Sequence, residues 1–321
     1  MIQLASPAIA IFVASVVLAG LLRWRRMPAD VPNARSLHRV AVPRGAGIAI
    51  WAGVAAATLW QPQGGAWMAA LAVVIGVSLW DDYRGVPVTI RLAAQTVAAL
   101  IWFGASLRWP LLLAVVLAVV WMANLYNFMD GSDGLAGAMT VVGFGACGIA
   151  AWMPAAAESQ LMLAVAAATL PFLALNWPPA RAFLGDVGAV PLGFLAGALG
   201  CTGWRSQWWP LWFPILVFLP FIVDATATLV GRLLAGERVA QAHRDHAYQR
   251  LVQGDLGHAG TLLLYATLML GTAGSALAAL VRAPGAGAAL LALWTLVLLL
   301  LHTWIGYHWR KARMEPNASK R

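Results

Sequence analysis

The chain has 321 residues, 61% of them hydrophobic and only 10% charged, with a formal net charge of +9. That balance leaves too little polar surface to cover a soluble globule of this length, which excludes an ordinary soluble enzyme and places the chain in a bilayer. The positive charge calls for no nucleic acid, because the distribution of the basic residues along the chain accounts for it.

A membrane-spanning helix takes roughly 20 mostly apolar residues. Ten or eleven such stretches recur, near residues 5–22, 46–61, 66–80, 90–104, 109–123, 135–153, 159–175, 187–203, 208–231, 259–281 and 287–307. The expected fold is all-α, one polytopic membrane domain over residues 1–321, since the longest polar connections are only 23–45 and 232–258. The first stretch runs directly into Arg23, Arg25 and Arg26, as a retained anchor does, so no cleaved leader is expected.

Loops between the stretches alternate sides, and of the 21 Lys and Arg residues only Arg108, Arg205 and Arg282 fall on one side. The positive-inside rule makes the other side cytoplasmic, with the amino terminus periplasmic and the carboxyl terminus cytoplasmic. Trp204, Trp208 and Trp209 beside an outward connection suit an interfacial aromatic belt. Cys147 and Cys201 lie within apolar segments and read as small buried residues. Of the 12 Asp and Glu residues only Glu158 is placed outside. Carboxylates near hydrocarbon are costly and mark function, and five of them, Asp81, Asp82, Asp130, Asp133 and Asp186, come from three loops on one face.

Taken in chain order, residues 36–50 (SLHRVAVPRGAGIAI) bring His38, Arg39 and Arg44 to that face, where positive-inside charge alone is the competing account of Arg39. In LWDDYRGVP, residues 79–87, an apolar helix ends in two adjacent aspartates. Adjacent residues do not share a helix face, so one carboxylate can address a site while the other binds a neighbour or solvent. NLYNFMDGSDGLAG, residues 124–137, sets Asn124, Asn127, Asp130 and Asp133 at intervals of three, along one face if the segment is helical. Oxygen donors of this kind suit Mg²⁺, which keeps several waters and accepts phosphate oxygens. A calcium loop is excluded, because its twelfth position counted from Asp130 is Val141.

LNWPPARAFLGDVGAV, residues 175–190, carries Asp186 in a Gly-Asp-x-Gly turn, where glycines let backbone N–H groups approach a phosphate while Asp186 reaches a metal. VAQAHRDHAYQRL, residues 239–251, places His243 and His246 three apart with Arg244 and Arg250 beside them. With no thiolate and with Arg244 between them, the histidines suit diphosphate oxygens better than zinc.

These motifs, in this order and over nearly the whole chain, resemble the polyprenyl-phosphate N-acetylhexosamine-1-phosphate transferase superfamily. The His-x-x-His loop and compact carboxyl end are similar to the branch that initiates bacterial O-antigen chains on undecaprenyl phosphate. The resemblance implies a multi-pass inner-membrane enzyme with its active site on the cytoplasmic face. It implies a UDP-sugar donor, an undecaprenyl phosphate acceptor and Mg²⁺, with Mn²⁺ able to substitute. By the same resemblance Asp81 and Asp82 match the paired aspartates that position or deprotonate the lipid phosphate, and Asn127 and Asp186 match the metal ligands. Asp130 and Asp133 match acidic positions shaping the nucleotide site, and Asn176 matches an asparagine of the uridine pocket. His243 and His246 match the loop over the diphosphate, beside Arg244, and Arg44 falls in the Pro-Arg-Gly segment. Asn124 shares the face of Asn127 and joins the substrate-binding set. Two positions depart from the pattern: Ala46 interrupts the usual paired glycines, and Ala189 replaces a serine.

The implied reaction brings two anions together, so cationic side chains and the metal would offset the repulsion. A phosphate monoester is already largely ionised near neutral pH, its second pKa being about 6, so Asp81 can serve either as a base or in positioning. Sugar selectivity is expected in the 232–258 loop, through Glu237, Gln241 and Gln249. Any N-acetylhexosamine or deoxy derivative presents the same diphosphate, and the oligomeric state, a homodimer included, stays open. The competing function is a secondary transporter, with CDP-alcohol phosphotransfer behind it. Transporters hold ionisable residues near the midplane; here only Asp224 lies deep, eight residues before Arg232 and so about 12 Å along a helix.

Overall fold

In a computed structural model the described residues are 5–24, 27–32, 37, 40–59, 64–237 and 244–314. The apolar stretches become helices that recross one bundle: α1 (Ala5–Arg23), α2 (Gly47–Thr58), α3 (Gly65–Arg84), α4 (Val88–Phe103), α5 (Leu111–Met129), α6 (Leu135–Trp152), α7 (Glu158–Asn176) and α8 (Asp186–Arg205). They continue as α9 (Trp212–Val217), α10 (Leu219–Leu234), the short α11 (Ala247–Gln253), α12 (Gly257–Arg282) and α13 (Gly287–Met314). Among the described residues eight helices are long and apolar enough to cross a membrane. The α2 and α4 helices are shorter, and the stretch expected as one span over 208–231 is broken. Phe218 leaves helical geometry at φ −95°, ψ 9°, and Pro220, at the start of α10, has no N–H to continue the α9 ladder. The protein is an all-α, multi-pass membrane protein. Its only strands among the described residues are the two-residue β1 (Ala29–Asp30) and β2 (Val42–Pro43), which pair antiparallel.

α8 lies at the centre, with 83% of its most apolar window buried, against 11% for α13 at the periphery. It packs face to face with α5, α3 and α2, and small residues allow that proximity. A Cβ on Gly193 would stand 2.4 Å from the Met122 carbonyl oxygen and 2.5 Å from the Tyr126 Cβ. Gly193→Ala must therefore push α5 off α8, and the expected cost is about 1–3 kcal/mol. A lowered Tm in detergent checks this, whereas unchanged melting would contradict the close approach. The Trp belt needs correcting at one position. Trp209 is buried, donates from Nε1 to the Gly200 carbonyl (3.1 Å) and packs across Gly203, so it is a core residue; Trp204 and Trp208 are half-buried.

What the fold does for the site is to bring helix ends together. The carboxyl ends of α3, α5 and α7 and the amino ends of α8, α11 and α12 meet at one end of the bundle, as recrossing requires.

Candidate active site

At that end lies a cavity of about 270 Å³, walled by Arg44, Asn127, Asp130, Asp133, Asn176, Asp186 and Gln249 from the expected residues and by Ser132 and His258 in addition. The scaffold starts with Asp82. Its Oδ1 accepts the Asp186 N–H and its Oδ2 the Val187 N–H, each at 2.9 Å. A carboxylate from α3 thus caps the α8 amino terminus, satisfying two orphan donors and complementing the helix dipole. Arg44 Nη2 pairs with the same carboxylate at 2.8 Å. Gly185 makes room for this: its φ is +76°, and a Cβ there would lie 2.7 Å from Asp82 Oδ2. Asp81 is also engaged, accepting the Val86 N–H (2.6 Å) and Arg91 Nη1 (2.8 Å); the same Nη1 lies 3.4 Å from Asp186 Oδ2. Neither Asp81 nor Asp82 lines the cavity.

The asparagines divide the same way. Asn124 faces away from the cavity, its Nδ2 donating to Gln95 Oε1 and the Val120 carbonyl, both at 2.7 Å, as a strut between α5 and α4. Asn176 reaches the cavity wall, but both ends of its amide are committed. Oδ1 accepts the Gly134 N–H and Nδ2 donates to the Ala182 carbonyl, both at 2.8 Å, tying the 131–134 turn to the segment entering α8. Asn127 makes no side-chain hydrogen bond to a described residue. Nor does Asp130, the residue that ends α5. Burial first, then the charges of Asp186 and Asp82, push the Asp130 carboxyl well above the usual carboxylate range, with Arg44 opposing them. The uncommitted oxygens on the wall are therefore those of Asn127 and Asp130, joined by the lightly held Asp186. Among the described residues no three His, Cys, Asp or Glu side chains gather tightly enough to hold a metal by themselves.

Asp133 holds the turn, its Oδ2 accepting the Ala180 N–H at 2.9 Å. Against it sits His258, in the first turn of α12, a residue that the motifs passed over. Its Nδ1 lies 3.2 Å from Ser132 Oγ and accepts the Asp133 N–H at 3.2 Å. A backbone N–H can only donate, so the neutral ring carries its proton on Nε2, which faces the Leu37 carbonyl at 3.4 Å. His258→Ala would free the 131–134 turn, and a loss of about 10- to 100-fold in kcat/KM is expected from the misplaced wall. His258→Gln, which keeps an acceptor, should recover part of it; equal loss in both variants would argue for proton transfer instead.

The histidine loop is placed differently from expectation. His243 and Gln241 lie outside the described residues, and Arg244 does not line the cavity. His246 is buried, stacked between Phe128 and Tyr248, with Nδ1 3.5 Å from Asp224 Oδ1. It does not border the cavity where the diphosphate was expected. Asp224 explains its own depth: it accepts the Ala247 (2.9 Å) and Tyr248 (3.1 Å) N–H groups and the Tyr265 hydroxyl. It is a cap for α11 donated by α10, as Asp82 is a cap for α8. Of the expected sugar-reading residues Gln249 lines the cavity, whereas Glu237 is paired with Arg232 at 2.7 Å, away from it.

Residues 65–203, the span from α3 to α8 that supplies most of the cavity, match the family model of glycosyl transferase family 4. The probable undecaprenyl-phosphate N-acetylglucosaminyl 1-phosphate transferase of Bacillus subtilis is 26% identical over 259 residues, 73% of this chain and 72% of that protein. The undecaprenyl-phosphate alpha-N-acetylglucosaminyl 1-phosphate transferase of Escherichia coli K12 is 27% identical over 256 residues, 70% of this chain and 69% of its own. A putative glycosyltransferase of Streptomyces coelicolor is 33% identical over 262 residues, 76% of this chain and 62% of its own. These matches, with the bundle of membrane helices, support the polyprenyl-phosphate sugar-1-phosphate transferase family for this chain.

Proposed function

We propose that the protein transfers an N-acetylhexosamine 1-phosphate, or that of a deoxy derivative, from a UDP-sugar to undecaprenyl phosphate, initiating O-antigen or another surface polysaccharide. The observation that carries the reading is the sorting of the polar motif residues. Asn127, Asp130 and Asp186 present oxygens to one cavity at the end of a membrane bundle, while their neighbours are spent on holding that wall. The relatives' names support the substrates. The eighteen basic residues assigned to one side support a cytoplasmic face for this cavity and a periplasmic amino terminus. The deep Asp224, the feature closest to a transporter's, is accounted for as the α11 cap.

The donor set fits Mg²⁺, or Mn²⁺ in its place. It is all oxygen and too sparse to strip the ion of water, and the charge crowding that raises Asp130 is of the sign that a cation relieves. Asn127 and Asp186 would hold the ion, which when bound supplies neutralising charge to a diphosphate. The residues of the chain do the rest. Arg44, one face of its guanidinium held by Asp82, presents positive charge at the wall where the phosphates meet. An acceptor phosphate oxygen forms a bond to the β-phosphorus of the donor as the bond from that phosphorus to the α–β bridging oxygen breaks, and UMP leaves with the pair. The phosphate monoester arrives largely ionised, so Asp81 and Asp82 act as positioning residues that fix Arg91, Arg44 and the start of α8.

Purified protein incubated with undecaprenyl phosphate and a panel of UDP-sugars tests this. A lipid-linked product from at least one UDP-N-acetylhexosamine, lost on chelation with EDTA, is expected. No product from any UDP-sugar, or product undiminished by EDTA, would overturn the reading or its metal.

A further inference from the structure

A second and larger recess, about 900 Å³, opens between α10, α11 and α13. Its long wall is apolar, with Ile222, Val230, Leu291 and Leu299 among its lining, and its end is basic, with Arg232, Arg250 and Arg310. Two carboxylates serve one of these: Arg232 pairs with Glu237 at 2.7 Å and with Asp245. Arg250 makes no side-chain hydrogen bond or ion pair to a described residue, and its Nε is buried without a partner among them. Its place is nonetheless built. Nη1 lies over Gly306 of α13, where a Cβ would stand 2.9 Å from it, so the missing side chain is the notch that admits the guanidinium. Arg310, one turn farther along α13, is exposed. Burial presses the Arg250 pKa downward, with Arg310 and Arg313 adding to it and Asp245 and Asp224 opposing them.

An apolar trough ending in two guanidinium groups, Arg250 and Arg310, that form no ion pair with a described residue, where α10 and α13 reach their basic last turns, matches an amphiphile with an anionic head at the membrane surface. Arginine forks are suited to phosphate. We propose that this recess is a binding site for an anionic phospholipid, its phosphodiester on Arg250 and Arg310 and an acyl chain along the wall between α10 and α13. The occupant is not the polyprenyl phosphate acceptor, because no residue lines both this recess and the catalytic cavity. α11 stands between them: Gln249 lines the cavity and Arg250 the recess, adjacent residues on different faces of that helix.

The test is native mass spectrometry of the full-length protein in detergent, titrated with phosphatidylglycerol or phosphatidylcholine of the same chains. Because it reads binding, it stands apart from the transferase assignment. The wild type should retain phosphatidylglycerol preferentially, and Arg250→Gln with Arg310→Gln should lower that retention about tenfold without changing phosphatidylcholine retention. Arg310→Gln alone, at an exposed position, should give an intermediate loss in a protein of unaltered Tm. Leu299→Trp, which fills the trough and keeps the charges, should also displace the lipid. Equal phosphatidylglycerol retention by wild type and double variant would overturn the site. Stoichiometric displacement by undecaprenyl phosphate would assign the recess to the acceptor, and exclusion of lipid from a dimer would assign it to a second copy; either would overturn the proposal.

Discussion

Asp186→Asn is expected to lower kcat by about a thousandfold or more while the protein folds as before. The substitution keeps the size of the side chain and leaves the backbone N–H groups of residues 186 and 187 on Asp82, so the α8 cap survives. What goes is a carboxylate that pairs with Arg91 at 3.4 Å and faces the cavity. Loss of a preorganised charge aimed at the reacting group is worth roughly 10²–10³ in rate or more. Asn127→Ala removes an amide with no other hydrogen-bond task among the described residues, and a similar loss is expected with Tm unchanged. Steady-state rates across a Mg²⁺ titration check both. Wild-type activity of either variant at low Mg²⁺ would contradict the ligand assignment, because an ion held by one or two protein groups has none to spare.

Asp82→Ala should lower stability and activity together. Its carboxylate is 1% exposed and serves two helix N–H groups and Arg44. Truncation leaves those donors and a half-buried guanidinium without their acceptor. The cost is about 3 kcal/mol, from the lost cap and the stranded charge, discounted because Arg44 is 32% exposed. The start of α8 would shift with it and carry Asp186 out of register with Asn127, for which about a hundredfold loss in kcat/KM is expected. Asp82→Asn keeps one acceptor and should fall between. If Asp82 served as a general base instead, Asp82→Asn would abolish turnover with Tm unchanged, and thermal unfolding run beside the rate assay separates the two roles.

The spans were legible in the sequence because apolar length is a local property, and the break at Phe218 was missed because it depends on prolines falling within an otherwise apolar run. The carboxylate cluster was legible for a related reason: alternation of helices across the membrane decides which loops share a face. What each polar residue does there was not. The interval of three from Asn124 to Asp133 puts four residues on one helical face only while the helix lasts, and α5 ends at Met129. Asn124 is left as a strut inside the bundle and Asp133 as a turn clamp. Asp82 reads as a reactive carboxylate until its partners, 104 and 105 residues away, are known. His258 finds its partner 125 residues away in the Asp133 backbone, which no short motif records. Its one local signal was an ionisable side chain at the mouth of an apolar segment. His246, conspicuous in its motif, is consumed by the Asp224 cluster that anchors α11.

The most direct test of the central claim is the identity of the nucleotide released when the purified protein turns over UDP-N-acetylhexosamine with undecaprenyl phosphate and Mg²⁺. Attack at the β-phosphorus predicts UMP, in equal amount with a lipid carrying a diphosphate. Release of UDP, with a lipid carrying a single phosphate, would mean attack at the sugar carbon and would contradict the account.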